Sequence, residues 1–594
     1  MKNKYIALAL AAAAMGGFSS CSDELDVTNP NTQTTADFGN DESTLEEAVI
    51  SCYNRIRLEG TFARVGYTMD AVRGDEVYNT SQVWYLPYDN MNVASTDEIG
   101  NQWIWRDNYH VVNRTNFVLQ QVEKVGLSQD SYNKIKGQAL FLRSLAYYTL
   151  ATYHHDVPLT TSYSAYSDIN TMYAHLSTYD EILDQVEADL AEAMQILPSK
   201  SVGGEFAKGR ATCGAAAGYY ARTLMLRHKY SEALAVLKDI IAGKYGNYSL
   251  TADFGDNFRE GSAYENNAES LFEVQYMDYG TGGVDEEWTP VNISKESTQG
   301  HAVESNYGPA EFGSWADLAA APWLYQLYKA EKCTDGRLDP RLYWTICSYE
   351  AEYDQYYGQT TDAYPDGDPR RNRIYMTDIT AADQYKMRSN TTNGGFAIAK
   401  WTYARQEVIS SMSTGLHCGI NLRLMRYSDV LLRAAECENE VNGPTQTAID
   451  YINQVRRRAA LPDLKLSDFT SADALFEQIA NVERPKEFGC ENGRGIDLNR
   501  WGFYYSSERK AQLRQHMTYK LNADIQYAGV VYSTDEIGSD GILSSMDYYV
   551  TGHEYFPIAQ STLNANPNLE PNDAYNSKQP EFEWDVRPVV DLSK

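Results

Sequence analysis

Two stretches of this chain set indole and phenol rings among amides and carboxylates. Trp84-Tyr85-Leu-Pro-Tyr88-Asp89-Asn90 lies in a proline-containing segment, 75–92, and a second segment, 276–323, carries Trp288 beside Asp285, Glu286 and Glu287, then Trp315 after Phe312-Gly313. Aromatic side chains bring broad apolar faces, with a polar tip on Tyr and Trp, so they suit a flat, partly apolar, hydroxyl-rich ligand. The chain has 46 tyrosines and 10 tryptophans, more than one site can use, so most belong to the core. Trp103, Trp105 and Trp501 lie in helical or structural blocks and are assigned there.

Other residues could do chemistry only in combinations that are missing. With 81 acidic residues, chance carboxylate pairs are unavoidable and say little about glycoside hydrolysis. No HExxH, G-x-S-x-G or P-loop occurs. His154-His155-Asp156 looks metal-like, yet adjacent histidines on a helix point in different directions, and the run is better read as a helix end. Asp362, Asp366, Gly367 and Asp368 lack EF-hand spacing and read as a solvated turn. The chain is therefore expected to be no enzyme, with no cofactor and no bound metal.

Cys21 carries a different chemistry. Lys2 and Lys4 form a basic start, Tyr5 to Met15 is an apolar run too short to span a bilayer, and Gly16, Gly17, Ser19 and Ser20 lead into the cysteine. The pattern resembles the bacterial lipobox, with Phe18 where a smaller aliphatic residue is more usual, so residues 1–20 are read as a lipoprotein signal and Cys21 as the acylated first residue. Each buried CH₂ of such a chain contributes about 0.8 kcal/mol, enough in several chains to hold a soluble protein on a membrane.

The formal net charge is −30, and loss of a leader with two lysines and no acids takes it to −32. Such a field repels phosphate and argues against nucleic acid as a partner. After Cys21 the cysteines are Cys52, Cys213, Cys333, Cys347, Cys418, Cys437 and Cys490, an odd set without CxxC or zinc spacing. Cys333 and Cys347 could pair across a loop, but free buried thiols are the better reading for most.

These residues must be carried by a scaffold that is largely helical. From Ser22 to about Ser43 the chain is polar and is read as a tether. Helical periodicity begins at Leu45 and is strongest from Tyr132 to Tyr153, where Ile135, Ala139, Leu142, Ala146 and Leu150 share a face, before Pro158 stops it. Further helices are predicted at Trp103–Val125, Tyr179–Leu197, Ala211–Arg227, Ser231–Ala242, Arg426–Glu440 and Thr447–Ala459, with a strand at Glu269–Met277. The helix holding Ala215, Ala216, Ala217, Gly218 and Ala221, the turn at Lys229 and the helix after it look like a tetratricopeptide hairpin, in which small residues let backbones approach. Between about Leu250 and Asn421 the periodicity fades into Gly, Asn, Asp and Thr mixed with Trp and Tyr, the composition of functional loops.

Several blocks resemble the SusD/RagB family of surface lipoproteins. They are Gly137-Gln-Ala-Leu-Phe-Leu-Arg143 with Ala146-Tyr147-Tyr148, and His155-Asp156-Val157-Pro158-Leu159, where a glycine more often stands at position 155. Gly209-Arg-Ala-Thr212, Asn266-Asn-Ala-Glu-Ser-Leu-Phe-Glu-Val274, Asp339-Pro-Arg341, Asn421 to Leu432, Ala448 to Leu461, Phe556-Pro-Ile558 and Asn566-Pro-Asn-Leu569 follow in order. In Glu483 to Gly502 the residues Glu483, Arg484, Glu487, Glu491, Arg494, Asp497, Arg500 and Trp501 match, while Pro485, Gly493 and Gly495 depart, and Pro485 is expected to kink or end a helix.

The resemblance implies an all-α-dominated, tetratricopeptide-like scaffold of helical hairpins with a large loop-rich insertion and minor β. One domain would span 44–594, with scaffold at 44–249 and 421–510, the ligand-binding insertion at 250–420 and an irregular C-terminal segment, 511–594. It also implies glycan capture at the cell surface and delivery to a partner, a SusC-like TonB-dependent outer-membrane transporter, over which the lipoprotein acts as a lid. Ser22-Asp23-Glu24 resembles the acidic surface-export signal of such proteins; a periplasm-facing location is the alternative. The family's sites sit on exposed loops, so Trp84, Tyr85, Asn90, Trp288 and Trp315 are the expected ligand-binding residues, with Trp84 and one of Trp288 or Trp315 as opposing faces. Capture of a peptide or glycopeptide by the same architecture, or a role as a protein-protein adaptor, are the competing readings.

Overall fold

Side-chain caps set the starts of several of the longer helices in this chain. In the computed structural model, which describes residues 38–80, 82–163, 172–200, 204, 208–277, 300–308, 314–347, 389–390, 395–403, 418–519, 525–527, 530–532, 545–572 and 586–592, Asp41 and Thr44 form a capping box that opens α1 (Glu42–Arg55). This start precedes the apolar periodicity at Leu45, because the first turn is polar. A π turn, Glu59–Ala63, leads into α2 (Val65–Val72). β1 (Val77–Asn79) and one turn of helix, α3 (Leu86–Asp89), precede α4 (Glu98–Val122). Ser128, Thr178 and Thr212 cap α5 (Gln129–His154), α6 (Tyr179–Ile196) and α7 (Cys213–Leu226), and α8 (Tyr230–Ile241) follows.

These helices pack in succession: α1 on α4, α4 on α5, α5 on α6, α6 on α7 and α7 on α8. The chain then leaves the stack, runs through β2 (Ser270–Val274), α9 (Val303–Tyr307), β3 (Leu318–Ala320), α10 (Pro322–Lys329), α11 (Pro340–Thr345), β4 (Ser389–Asn390) and β5 (Gly395–Phe396), and returns by β6 (Leu422–Arg426). β6 pairs antiparallel with β2, so the excursion is closed at its base. It re-enters as α12 (Tyr427–Asn442) on α8, with α13 (Gln446–Arg458) on α12. The predicted helices and the strand are found with boundary shifts of a few residues, and the all-α-dominated hairpin scaffold with minor β is the observed fold.

Two local expectations change. The small residues of α7 do more than admit a neighbouring helix: a Cβ on Gly218 would meet Met425 Sδ at 2.5 Å, so this face seats the β2–β6 pair. Pro485 does not end its helix. α14 (Ala472–Gln478), a second π turn at Ile479–Glu483 and α15 (Arg484–Phe488) run on without a break. Proline in a helix clashes with the carbonyl four residues back, here Asn481, and the widened turn relieves that contact.

His155 explains the glycine preference at its position. It closes α5 with φ 65°, a conformation that favours glycine, and is held there by stacking on Tyr179 at 4.6 Å and by Asp156 Oδ1, 2.9 Å from its Nδ1. His154 is buried against Trp105 and Phe556, and burial lowers its pKa to about 3. Trp103, Trp105 and Trp501 are core residues. All seven cysteines after Cys21 are buried and in no disulfide, Cys333 and Cys347 included.

The interior of the fold is unusually ionic. Arg426, at the end of β6, faces Glu269 of the β2 approach at 2.6 Å, Glu487 of α15 at 2.9 Å and Glu491 at 2.7 Å. Arg458 of α13 bonds the same Glu269 and Glu487, and Arg341 of α11 reaches Glu487 at 3.3 Å. Beside it Asp429 gathers Arg222, Arg433 and Arg484, and Asp497 of α16 (Arg494–Arg500) gathers Arg484, Arg433 and Arg500. Arg494, on the same helix as Asp497, pairs with Asp75, just before β1, at 2.7 Å. α17 (Ser507–Met517) docks there through His516, whose Nδ1 lies 2.7 Å from Asp75. Beyond it lie the β7–β8 hairpin, Ile525–Tyr527 with Val530–Tyr532, and α18 (Gln560–Ala565), which packs on α4.

Removing one partner from such a lattice leaves buried charge uncompensated. Arg426→Ala is therefore expected to cost about 3–5 kcal/mol, read as a lower urea midpoint. The lattice also sets a pH dependence. Although burial opposes it, the surrounding arginines hold Glu487, Asp497 and Asp429 below the ordinary carboxylate range. Their stabilisation is complete above the unfolded-state pKa of about 4 and is lost as pH falls below it. Glu76, which burial raises to about 8, has the opposite sign and weakens the fold as pH rises from about 4.5 toward 8. Urea midpoints should thus fall steeply below about pH 4 and gently toward pH 8, with a smaller acid loss in Arg426→Ala.

Candidate functional site

Trp84 and Trp315 reach the same place by way of β1 and β3. The strands pair antiparallel, Val77 opposite Ala320 and Asn79 opposite Leu318, so the segment after β1 and the segment before β3 leave the ladder side by side. After β1 the Asn79 side chain bonds both the N–H and the carbonyl of Gln82, at 3.0 and 2.8 Å, turning the chain so that Trp84 and Tyr85 follow at once. Pro87 sits in the first turn of α3, and Asp89 at its end accepts from the Asn79 N–H at 3.1 Å. Burial raises the Asp89 pKa to about 7. Before β3, the N–H groups of Trp315 and Ala316 donate to Ser305 O of α9 at 2.7 and 3.2 Å, and Thr80 Oγ1 donates to Ala316 O at 2.9 Å.

The two indoles meet over one cation. The Arg64 guanidinium lies 6.0 Å from the Trp84 ring centre and 5.5 Å from that of Trp315, so the rings are no more than 11.5 Å apart. Trp84 is half-buried and Trp315 is 38% exposed; Val83 and Leu86, either side of Trp84-Tyr85, are also exposed. Arg64 itself is buried and bonds Glu59 at 2.5 Å. The π turn explains that pair, since its wide five-residue spacing brings Glu59 behind Arg64. Gly60 and Gly66 make room for it: a Cβ on Gly60 would sit 2.0 Å from Trp103 O, and one on Gly66 1.8 Å from Thr61 O.

Of the expected ligand-binding residues, the structure thus brings Trp84 and Trp315 together. Tyr85 is corrected from a contact to a support. It is fully buried, its ring stacks on Trp84 at 3.8 Å, and its hydroxyl is 2.6 Å from Thr68 Oγ1 and 3.1 Å from Asn306 Nδ2. Asn90 is half-buried at the C-terminus of α3, its N–H bonded to Leu86 O. Trp288 and Cys21 lie outside the described residues, as do Asp362, Asp366 and Asp368. Among the described residues no three His, Cys, Asp or Glu stand close enough to hold a metal ion. The sequence reading missed Arg64 and Glu59. Their one signal was two charges flanking the apolar and small run Gly60-Thr-Phe-Ala63, where unpaired ions are not tolerated. Chemically the arrangement offers two partly exposed indoles beside a buried cation, on polar loops.

Comparison with known proteins agrees with the fold. A family model described as the SusD family matches residues 268–575, and one described as starch-binding associating with outer membrane matches 23–225. A SusD-like protein of Formosa agariphila is 24% identical over 478 residues, 78% of this chain and 84% of that protein. A SusD superfamily protein of Bacteroides vulgatus superposes with TM-score 0.67 at 25% identity, covering 90% of this chain and 100% of that one. Surface glycan-binding protein A from Bacteroides thetaiotaomicron, solved in complex with laminarihexaose, superposes with TM-score 0.63 at 20% identity, covering 90% and 99%. No helix among the described residues is long and apolar enough to cross a membrane.

The close approach at Gly66 yields a test of how the site is built. Gly66→Ala forces the π turn off the backbone of Thr61 and is expected to lower stability by about 2 kcal/mol or more in thermal unfolding. Gly126→Ala, where nothing lies within 4 Å of the added methyl, should change it by less than about 0.5 kcal/mol.

Proposed function

The chain belongs to the SusD family, and from that membership we propose that it is a glycan-binding lipoprotein, anchored at Cys21 in the outer membrane and facing the cell exterior. It captures oligosaccharide and passes it to a SusC-like TonB-dependent transporter, with no chemistry of its own. The observation that carries the glycan reading is the pair of partly exposed indoles, Trp84 and Trp315, turned about one buried guanidinium. A sugar ring presents an apolar C–H face to an aromatic ring while its hydroxyls take directed hydrogen bonds from neighbouring polar loops. Ring centres no more than 11.5 Å apart suit neighbouring residues of one short oligosaccharide rather than distant points on a polymer. The laminarihexaose complex of the Bacteroides thetaiotaomicron protein, which shares this fold, supports the same class of ligand. The second family model, whose description names outer-membrane association, supports the location.

Calorimetry on hits from a glycan array, run beside a peptide library, tests the ligand. Trp84→Ala and Trp315→Ala should each weaken binding about tenfold or more, and affinity should stop rising at short chain length. Unchanged affinity in both variants, or binding to peptides alone, sinks the glycan reading. Cys21→Ala should move the protein from the membrane to the soluble fraction and reduce uptake by cells, while the released protein binds its ligand as before. Loss of ligand binding in that soluble protein would contradict the division between anchor and site.

A further inference from the structure

Arg64 stands where two loops far apart in sequence need a common reference. Trp84 is braced by Tyr85, but Trp315 stacks on no ring among the described residues, and its backbone alone is tied, through Ser305. An indole 38% exposed and stacked on no ring among the described residues has rotamer freedom to lose unless something orients it. The guanidinium faces both indoles within the range at which a cation is attracted to a ring face. It is itself fixed, because it is buried, bonded to Glu59 and carried by a π turn wedged against α2 and α4 through Gly66 and Gly60. A planar guanidinium can serve two rings at once, which a point-like ammonium does less well.

We propose that Arg64 is a positioning residue of the ligand site: locked by Glu59, it orients the Trp84 and Trp315 rings before ligand arrives, so that binding loses little rotamer freedom. The proposal rests on the glycan reading for its ligand but not for its geometry. It makes Arg64 act through the two rings and not by touching the sugar, since its side chain is buried beneath them.

The test uses the full chain labelled with 5-fluorotryptophan, with the Trp84 and Trp315 ¹⁹F resonances assigned from Trp84→Phe and Trp315→Phe. In Glu59→Gln/Arg64→Met, which removes the pair without stranding the Glu59 charge, both resonances should shift and sharpen while those of core tryptophans such as Trp103 and Trp501 stay in place. Arg64→Lys, which keeps a charge opposite Glu59, should return both toward their wild-type positions. With laminarihexaose as the probe, the neutral double variant should bind about tenfold more weakly and the lysine variant within about threefold of wild type. Unmoved Trp84 and Trp315 resonances, movement spread over all the tryptophans, or equal behaviour of the neutral and charged variants would overturn the proposal. If laminarihexaose fails to bind the wild-type protein, the choice of ligand falls, and the ¹⁹F spectra still decide the role of Arg64.

Discussion

Arg426 and the three glutamates around it are the contact on which the rest of this structure depends. Buried ions are tolerated only when each finds a partner, and here the partners come from segments more than two hundred residues apart, Glu269 before the excursion and Glu487 and Glu491 after it. Further clusters lie beside it, around Asp429 and Asp497 and, through Arg494 on the helix of Asp497, at Asp75, so the helical stack, the closure of the excursion and the strand that launches the Trp84 loop are each tied by buried charges. Apolar packing tolerates small slips; bidentate arginine-carboxylate geometry does not. The lattice thus works as a register for assembling the fold, beyond whatever net stability it supplies.

Above that register the site is built by different means. Its rings stand on loops whose backbone is held by the short-range bonds of Asn79 to Gln82 and Ser305 to Trp315 and by the long-range bond of Thr80 to Ala316, and the Glu59–Arg64 ion pair beneath them spans five residues across a π turn. Where the core is cross-linked between distant segments by ion pairs, the site is cross-linked by hydrogen bonds and ring contacts, some local and some, such as Thr80 to Ala316 and Asn306 to Tyr85, between distant segments, and is joined to the core through β1 and β3. Loops of this construction can change at their tips without disturbing the charges beneath.

The sequence made the helices legible because their periodicity and caps are local, and the strand at 270–274 because its alternation and neighbours are. Pro485 misled because proline's effect was read on an α-helix, whereas the chain widens to a π turn that no single-residue propensity signals. Trp84 and Trp315 were legible as aromatics in polar loops, but their meeting was not, since it depends on the register of β1 against β3. Tyr85 shares its neighbour's composition and differs only in facing inward, toward Thr68 and Asn306. Arg64 and Glu59 are two charges in a small apolar run, and nothing local says that the partner of each is the other.

The β1–β3 ladder has a consequence for how the two aromatic-bearing loops can vary. Asn79 and Leu318 are opposite one another at its end, so both aromatic-bearing loops are rooted at adjacent backbone positions. Roots fixed by a ladder and tips free to vary are the arrangement by which rigid scaffolds host changeable recognition loops. Changes at the tips leave the paired positions of the ladder in place, so on the proposed reading of the two indoles a lineage can redraft its ligand by rewriting two short stretches of gene.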